Sequence, residues 1–566
     1  MKNRFIKLAL CSLILFQVGC SDLDEQILDE SLNGSVPEAL AAEATLVPAY
    51  AVMADLFLHT RYFALQEIST DEAILPYRGG TDWGDNGIYI DLHRHTLTSS
   101  HVPVKETWDA ITKGIARSNA AVSELAAMQT KNTKASLYLA EAKGIRAYYS
   151  MLALDLFGLV FVKEDLTANS KIIRGSEAVN YIKNELVGIE NQVATTTGPG
   201  RITQATVWGL LARLHLNAAV YSNPYATTFD FKSEDMDKVI EYTNKITQSG
   251  QYQLSPEYFA IFDDENHTNK ELIFAVDQRA ELNGHNRLAY FSLSGDMFPL
   301  PAYVNANGTD GPAITPDYYN TWINAYGTTD PATVDARFFK QNLVIPADSC
   351  LTASQFKINR GILRGQQYGL ITTAKGQPFQ RCADGIGYKI SKLRNITRSD
   401  KKRLVNHTLN VDFTTTGSGY SNGYRVLKYE FSKKSDTGRN KGDADISLLR
   451  LADVYLMRAE AKLRKNNDIG GALADLNTVR AARTARAGLT PPALTSISLD
   501  ILYRERGFEF YWEMLRRTDM IRFGKYEGTW TEKTDTDVKK RLFPIPQSAI
   551  DGASSEPGYL KQNEGY

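Results

Sequence analysis

Helical periodicity in three separated segments constrains this chain more than any other feature. In residues 137–156, Leu137, Ala140, Gly144, Tyr148, Met151 and Leu152 recur at the i, i+3, i+4 spacing that gathers them on one helix face. The same spacing runs through Val207, Leu210, Leu211, Leu214, Ala218 and Tyr221 in residues 203–221. It returns in residues 447–465 with Leu448, Leu451, Ala452, Tyr455, Leu456, Ala459 and Leu463. A turn and a second helical stretch follow each segment, at 176–193, 236–249 and 472–486. Such helix pairs, with Ala and Gly where helices approach closely, read as degenerate tetratricopeptide-like units with an irregular period. The expected fold is mainly α, with helix pairs and a loop-rich insertion that carries short strands.

The N-terminus sets the compartment. Lys2, Arg4 and Lys7 precede an apolar run, Leu8 to Phe16, that is too short to span a bilayer and has the layout of a secretory signal. The run ends Gln17-Val18-Gly19-Cys20, which resembles a bacterial lipobox. Residues 1–19 are therefore expected to be a cleaved signal peptide and Cys20 the lipidated first residue of the mature chain. Several acyl chains on one cysteine would anchor a soluble body to a membrane. Residues 20–35 are short, acidic and polar, as a tether requires. Loss of the signal takes three basic residues and shifts the net charge from -1 to -4. Neither value suits a protein that holds nucleic acid by displacing counterions.

The body, 36–566, divides into an N-terminal helix-pair scaffold at 36–251, an insertion at 252–445 and C-terminal helices at 446–566. The insertion is rich in Gly, Pro, Asn and Tyr, with short apolar runs such as 272–276 and turn signals at Asn307-Gly308, Asp310-Gly311 and Asn422-Gly423. Ordered loops on a rigid scaffold are where binding surfaces tend to lie. Its Cys350 and Cys382 are the thiols left in an oxidising compartment. A disulfide between them is allowed, and depends on how the intervening residues fold.

Catalytic patterns are missing. The sequence contains no phosphate loop, dinucleotide-binding glycine motif, His-Glu-x-x-His or Gly-x-Ser-x-Gly. His93, His95 and His101 lack a carboxylate or cysteine at ligand spacing. Asp443 and Asp445 are weak calcium candidates, since two carboxylates do not define a site, and the alternative is a turn that caps the following helix. Glu505, Glu509 and Glu513 recur every fourth residue, so they share one helix face rather than flanking a cleft as glycosidase carboxylates do. With Arg506, Arg516, Arg517 and Asp519 nearby, an ion-pair network on that helix is expected. The chain reads as a non-enzyme with no cofactor.

The stretch from Pro76 to His95 has the composition of a sugar site. Tyr77, Trp83 and Tyr89 supply flat apolar faces, and Arg78, Asp82, Asp85 and Asn86 supply donors and acceptors. A turn around a buried Trp is the other reading. A second aromatic group, Tyr290, Phe291, Tyr303, Tyr318, Tyr319 and Trp322, lies in the insertion, with core packing as its alternative.

Several motifs resemble those of the SusD/RagB family of outer-membrane nutrient-binding lipoproteins. Residues 446–461, Ile-Ser-Leu-Leu-Arg-Leu-Ala-Asp-Val-Tyr-Leu-Met-Arg-Ala-Glu-Ala, resemble the family's signature helix. Arg504-Glu505-Arg506-Gly507-Phe508-Glu509-Phe510 with Arg517-Thr518-Asp519-Met520 is similar to its Glu-Arg…Glu-Phe…Arg-x-x-Asp element. Leu542-Phe543-Pro544-Ile545-Pro546 resembles the Pro-Ile-Pro element, and Gln562-Asn563-Glu564-Gly565-Tyr566 the family's ending, with Glu564 in place of Pro.

The resemblance implies one mostly helical domain with four tetratricopeptide-like pairs. It also implies non-catalytic capture of oligosaccharide and a lid-like partnership with a SusC-like TonB-dependent transporter at the surface of a Gram-negative outer membrane. The glycan site it implies draws on the 71–90 loop and the insertion, so Asp71, Arg78, Asp82, Trp83, Asn86, Tyr89, Tyr290 and Trp322 are the expected contacts. A peptide-binding RagB-like member, or a structural lid with no ligand of its own, are the alternatives.

Overall fold

The computed structural model describes residues 38–78, 87–163, 167–282, 284, 286–344, 349–397, 403–411, 419–465 and 467–566. The signal, Cys20 and the tether lie outside them, as do Asp82, Trp83, Asp85 and Asn86.

Eight helices stack in sequence. They are α1 Val102–Met128, α2 Ala135–Phe157, α3 Gly175–Ile189, α4 Gln204–Ser222, α5 Ser233–Gln248, α6 Leu451–Lys465, α7 Ile469–Ala481 and α8 Leu499–Phe510. Each of α1 to α6 packs on the next, α6 packs on α7, and α8 packs back on α6. The chain leaves the stack after α5 and re-enters it at α6, which packs directly on α5. Most of the buried apolar side chains join one continuous core that runs through these helices.

The register of the pairs differs from the sequence reading by one helix, because α1 precedes the first segment recognised there. Within α1, Val104, Trp108, Ile111 and Ile115 are buried at helical spacing. Gly114 lets α2 come close, since a Cβ there would sit 2.6 Å from the Tyr149 ring. The segment at 447–465 also starts later as helix. Ile446–Arg450 is a fully buried strand, antiparallel to Leu272–Val276, and α6 begins at Leu451. Strand pairing satisfies the backbone groups of this buried segment, which a half-exposed helix face would not need.

The insertion builds short antiparallel sheets. Arg360–Leu363 lies between Arg425–Leu427 and Phe339–Lys340, and Tyr388–Lys392 lies between Tyr368–Leu370 and Ser349–Leu351. These enclose a second apolar core that contains Tyr290, Phe298, Phe356, Ile390 and Leu427. Cys350 and Cys382 are joined in a disulfide, with Cα atoms 6.2 Å apart.

A buried ionic cluster ties the insertion to the stack. Glu509 accepts from Arg450 at 2.7 Å and from Arg483 at 2.5 Å, while Glu513 pairs with Lys428 at 2.6 Å and with Arg450 at 2.7 Å. Glu505 pairs with Arg480 and Arg337. The network is thus present, but its geometry differs from the single-helix expectation. Helix α8 ends at Phe510, so Glu513 lies beyond it, and the partners of the three glutamates come mainly from other elements. Arg506 instead reaches Asp519 and Asp453, Arg516 reaches Asp71, and Arg517 reaches Asp155. The guanidiniums around Glu509 hold its carboxyl well below the usual range, although burial opposes them.

Candidate functional site

Three distant segments meet at the base of the 79–86 loop. Ala73–Ile74 pairs antiparallel with Ala313–Ile314, and the Ile314 amide donates to the Tyr424 carbonyl at 3.0 Å. The stretch 79–86 is flanked on both sides by constrained residues. At its start, Arg78 is fully buried and donates to the carbonyls of Gly311 (3.1 Å), Gly419 (3.1 Å) and Asn422 (2.7 Å). At its end, Gly87 has φ 86°, a left-handed conformation suited to glycine, and a Cβ there would lie 2.5 Å from the Tyr77 hydroxyl.

Beside Arg78, Arg425 is also fully buried. It donates to the Asn422 carbonyl at 2.9 Å and to the Tyr420 carbonyl at 2.6 Å, with the Asp310 carboxylate 4.0 Å away. Burial pulls Arg425 down to about 10 against the opposing pull of Asp310. His407 Nδ1 donates to the Ser421 carbonyl (2.9 Å), and burial, with Arg425 and Arg78 adding to it, pulls its imidazole down to about 3. A cationic, hydrogen-bonded cluster therefore fixes Arg78, the described residue that precedes 79–86.

Several expected contacts turn out to be framework. Arg78 has no exposed surface, so it anchors the loop and cannot touch ligand. Tyr89 is 2 % exposed on the helix Ile88–Arg94, in the main core. Trp322 is completely buried, stacked on Phe508 with ring centroids 3.7 Å apart and edge-on to Phe338. Tyr290 is 7 % exposed in the second core, where its hydroxyl accepts from Arg439. Asp71 faces Arg516 with both carboxylate oxygens, at 2.7 and 2.8 Å. In each case tertiary packing, which composition does not report, claims the side chain. Asp82, Trp83 and Asn86 lie outside the described residues.

The histidines are structural too. His93 bridges the carbonyls of Ile68 and Thr531, His95 meets that of Ser69, and His101 that of Ile88, at 2.8–2.9 Å. Asp443 and Asp445 do not converge on one point. Asp443 lies 3.3 Å from the Lys434 ammonium, whereas Asp445 accepts from the Gln278 amide and meets His267 at 2.6 Å. The side chains brought together there are His267, Asp277 and Asp445. Arg425 and His407 were not singled out from the sequence, and Asn422 only as part of a turn signal. A lone arginine in the apolar run Arg425–Leu427 was the available signal.

The C-terminal motifs acquire a physical meaning. The Gln562 side chain both donates to and accepts from the backbone of Ile545, at 2.8 and 2.7 Å, clamping the Pro544-Ile545-Pro546 element. Asn563 donates to Phe157 and Phe543 carbonyls, which fastens that element to the end of α2. Residues 399–566 match the model of the SusD family. The chain is 27 % identical over 447 residues to the starch-binding protein SusD of Bacteroides thetaiotaomicron, covering 75 % of this chain and 72 % of that protein. The whole fold matches as well. A SusD superfamily protein from Parabacteroides distasonis superposes with a TM-score of 0.66 at 18 % identity, over 94 % of this chain and 100 % of that one.

Residues 399–566 carry the SusD-family signature, and the chain shares the fold of SusD-like structures. A further SusD-like match is surface glycan-binding protein A from Bacteroides thetaiotaomicron in complex with laminarihexaose. It has a TM-score of 0.61 at 16 % identity, over 93 % of this chain and 99 % of that one. The relatives named for an activity are binding proteins, in accord with the missing catalytic patterns. Glu505, Glu509 and Glu513, the carboxylates with a four-residue spacing, are paired with arginines and Lys428 inside the core. No helix among the described residues is long and apolar enough to cross a membrane.

Proposed function

We propose that this chain captures oligosaccharide at the cell surface and delivers it to a SusC-like TonB-dependent transporter, held to the outer membrane through lipid on Cys20. Capture is assigned to the 79–86 stretch together with the segments at 311–314 and 419–425, which meet at Arg78. One observation carries the reading: two buried arginines converge on the Asn422 carbonyl and fix the base of a loop whose sequence holds a tryptophan, an asparagine and two aspartates. Pre-organisation of this kind lowers the entropic cost of holding a flexible sugar. The starch-binding relative and the laminarihexaose complex support a glucan as ligand. Trp83 offers the stacking face, while Asp82 and Asn86 offer hydrogen bonds to hydroxyls.

The test is calorimetric titration of the soluble chain that starts after Cys20 with maltoheptaose and with laminarihexaose. Binding of at least one, lost in Trp83→Ala and without release of shorter sugars, supports the reading. Binding of both that is indifferent to Trp83→Ala removes the loop from the site. Co-purification of the full-length lipoprotein with a TonB-dependent transporter from outer membranes tests delivery.

A further inference from the structure

A cleft of about 270 Å³ opens within the insertion, and it shares no lining residue with the loop site. Its charged lining is unbalanced. Lys340, Lys357, Arg360 and Lys433 face it, against only Asp263 and Glu430. Arg360 is 4 % exposed and forms an ion pair with Asp263 from the cleft wall, while its Nε has no hydrogen-bond partner among the described residues. Lys340 is 3.7 Å from Glu257, Lys433 is 3.9 Å from Glu430, and Lys357 is exposed with no ion pair among the described residues. These separations are long for charge-assisted hydrogen bonds, so the ammoniums keep donors to offer. The lining also has an apolar part, formed by Pro299, Leu300, Pro301 and Phe431.

We infer that this cleft is a second saccharide site, selective for a sugar that bears a carboxylate, with the acid group held by Lys340 and Lys357 and the ring's C–H face laid on the Pro299–Pro301 wall. A neutral sugar would gain nothing from the excess positive charge, whereas a carboxylate receives charge-assisted hydrogen bonds from lysines. The volume lies near the lower end for small-molecule sites and suits a terminal uronic acid rather than a long chain. That the ligand is a saccharide rests on the function proposed above. The charge selectivity rests on the cleft alone.

The probe is trigalacturonic acid, titrated into the soluble chain that starts after Cys20, with its fully methyl-esterified form as the neutral counterpart and sodium sulfate as the bare anion. The expected result is binding of the acid at least tenfold tighter than the ester, no saturable binding of sulfate, and weakening as salt is raised from low to physiological ionic strength. Lys340→Ala with Lys357→Ala is expected to weaken the acid at least fivefold and leave maltoheptaose and laminarihexaose binding unchanged, while Trp83→Ala does the reverse. Equal affinity for acid and ester, sulfate binding as tight as the acid, or indifference to the two lysine substitutions overturns the inference. Loss of the acid in Trp83→Ala alone would assign it to the loop. Failure of the neutral glucans with retained acid binding would instead overturn the loop reading and leave the cleft intact.

Discussion

Arg78 and Arg425, from segments more than three hundred residues apart and both without exposed surface, donate to the same carbonyl, that of Asn422, at 2.7 and 2.9 Å. One backbone oxygen thereby joins the N-terminal loop to the insertion. Arg78→Ala leaves buried carbonyls without donors and is expected to cost about 2–3 kcal/mol of stability. Glucan binding should fall in parallel, because the loop loses its anchor. Urea denaturation and calorimetry on the same sample check this. Lost binding with unchanged stability would mean that Arg78 touches the ligand itself.

Trp322 separates core from platform. Its ring is stacked on Phe508 and fully buried, so Trp322→Ala should cost about 3–5 kcal/mol as a large-to-small core substitution. Trp322→Phe should cost less, and the protein that folds should bind glucan with wild-type affinity. A folded Trp322→Phe variant that no longer binds would return Trp322 to the site.

The buried His407 gives the cluster around Arg78 a defined pH response. Its folded value of about 3 lies below the 6.5 of an exposed imidazole. Below pH 6.5 the unfolded chain therefore takes up a proton that the native state refuses. The contribution is fully present above pH 6.5 and is lost as pH falls toward about 3. His407→Gln is expected to flatten the dependence of unfolding free energy on pH between 6.5 and 4.5, relative to the wild type. An identical slope in both proteins would show that the imidazole titrates normally.

The disulfide closes a loop with a sequence separation of 32. Chain-entropy arithmetic assigns such a cross-link about 3–4 kcal/mol. The double substitution Cys350→Ala with Cys382→Ala should lower the melting temperature of the soluble chain, and reduction should lower that of the wild type but not of the variant. No shift in either case would mean that the insertion tip unfolds independently of the rest.

Much of the scaffold was legible because burial of a helix face leaves a period in the sequence. Residues 137–156 and 203–221 became α2 and α4 within two residues at each end. The strand at Ile446–Arg450 was hidden, since a short apolar run fits a buried strand or a helix turn equally well until its partner, Leu272–Val276, is known. The site was less legible. An aromatic such as Trp322 or Tyr290 looks the same in sequence whether it faces water or Phe508, and a charged residue such as Arg78 gives no sign that three carbonyls from elsewhere will surround it. Composition did not distinguish side chains that are packed away, such as Arg78 and Trp322, from those that are presented.

The central claim is that the loop at 79–86 holds a neutral glucan and that the buried arginines only position it. Calorimetric titration of wild type, Trp83→Ala and Arg78→Lys with maltoheptaose and laminarihexaose tests it most directly. The account predicts saturable binding of at least one glucan by the wild type, at least a tenfold loss in Trp83→Ala at unchanged melting temperature, and a loss in Arg78→Lys only in proportion to its lost stability. Wild-type affinity in Trp83→Ala, or no binding of either glucan by the wild type, would contradict it.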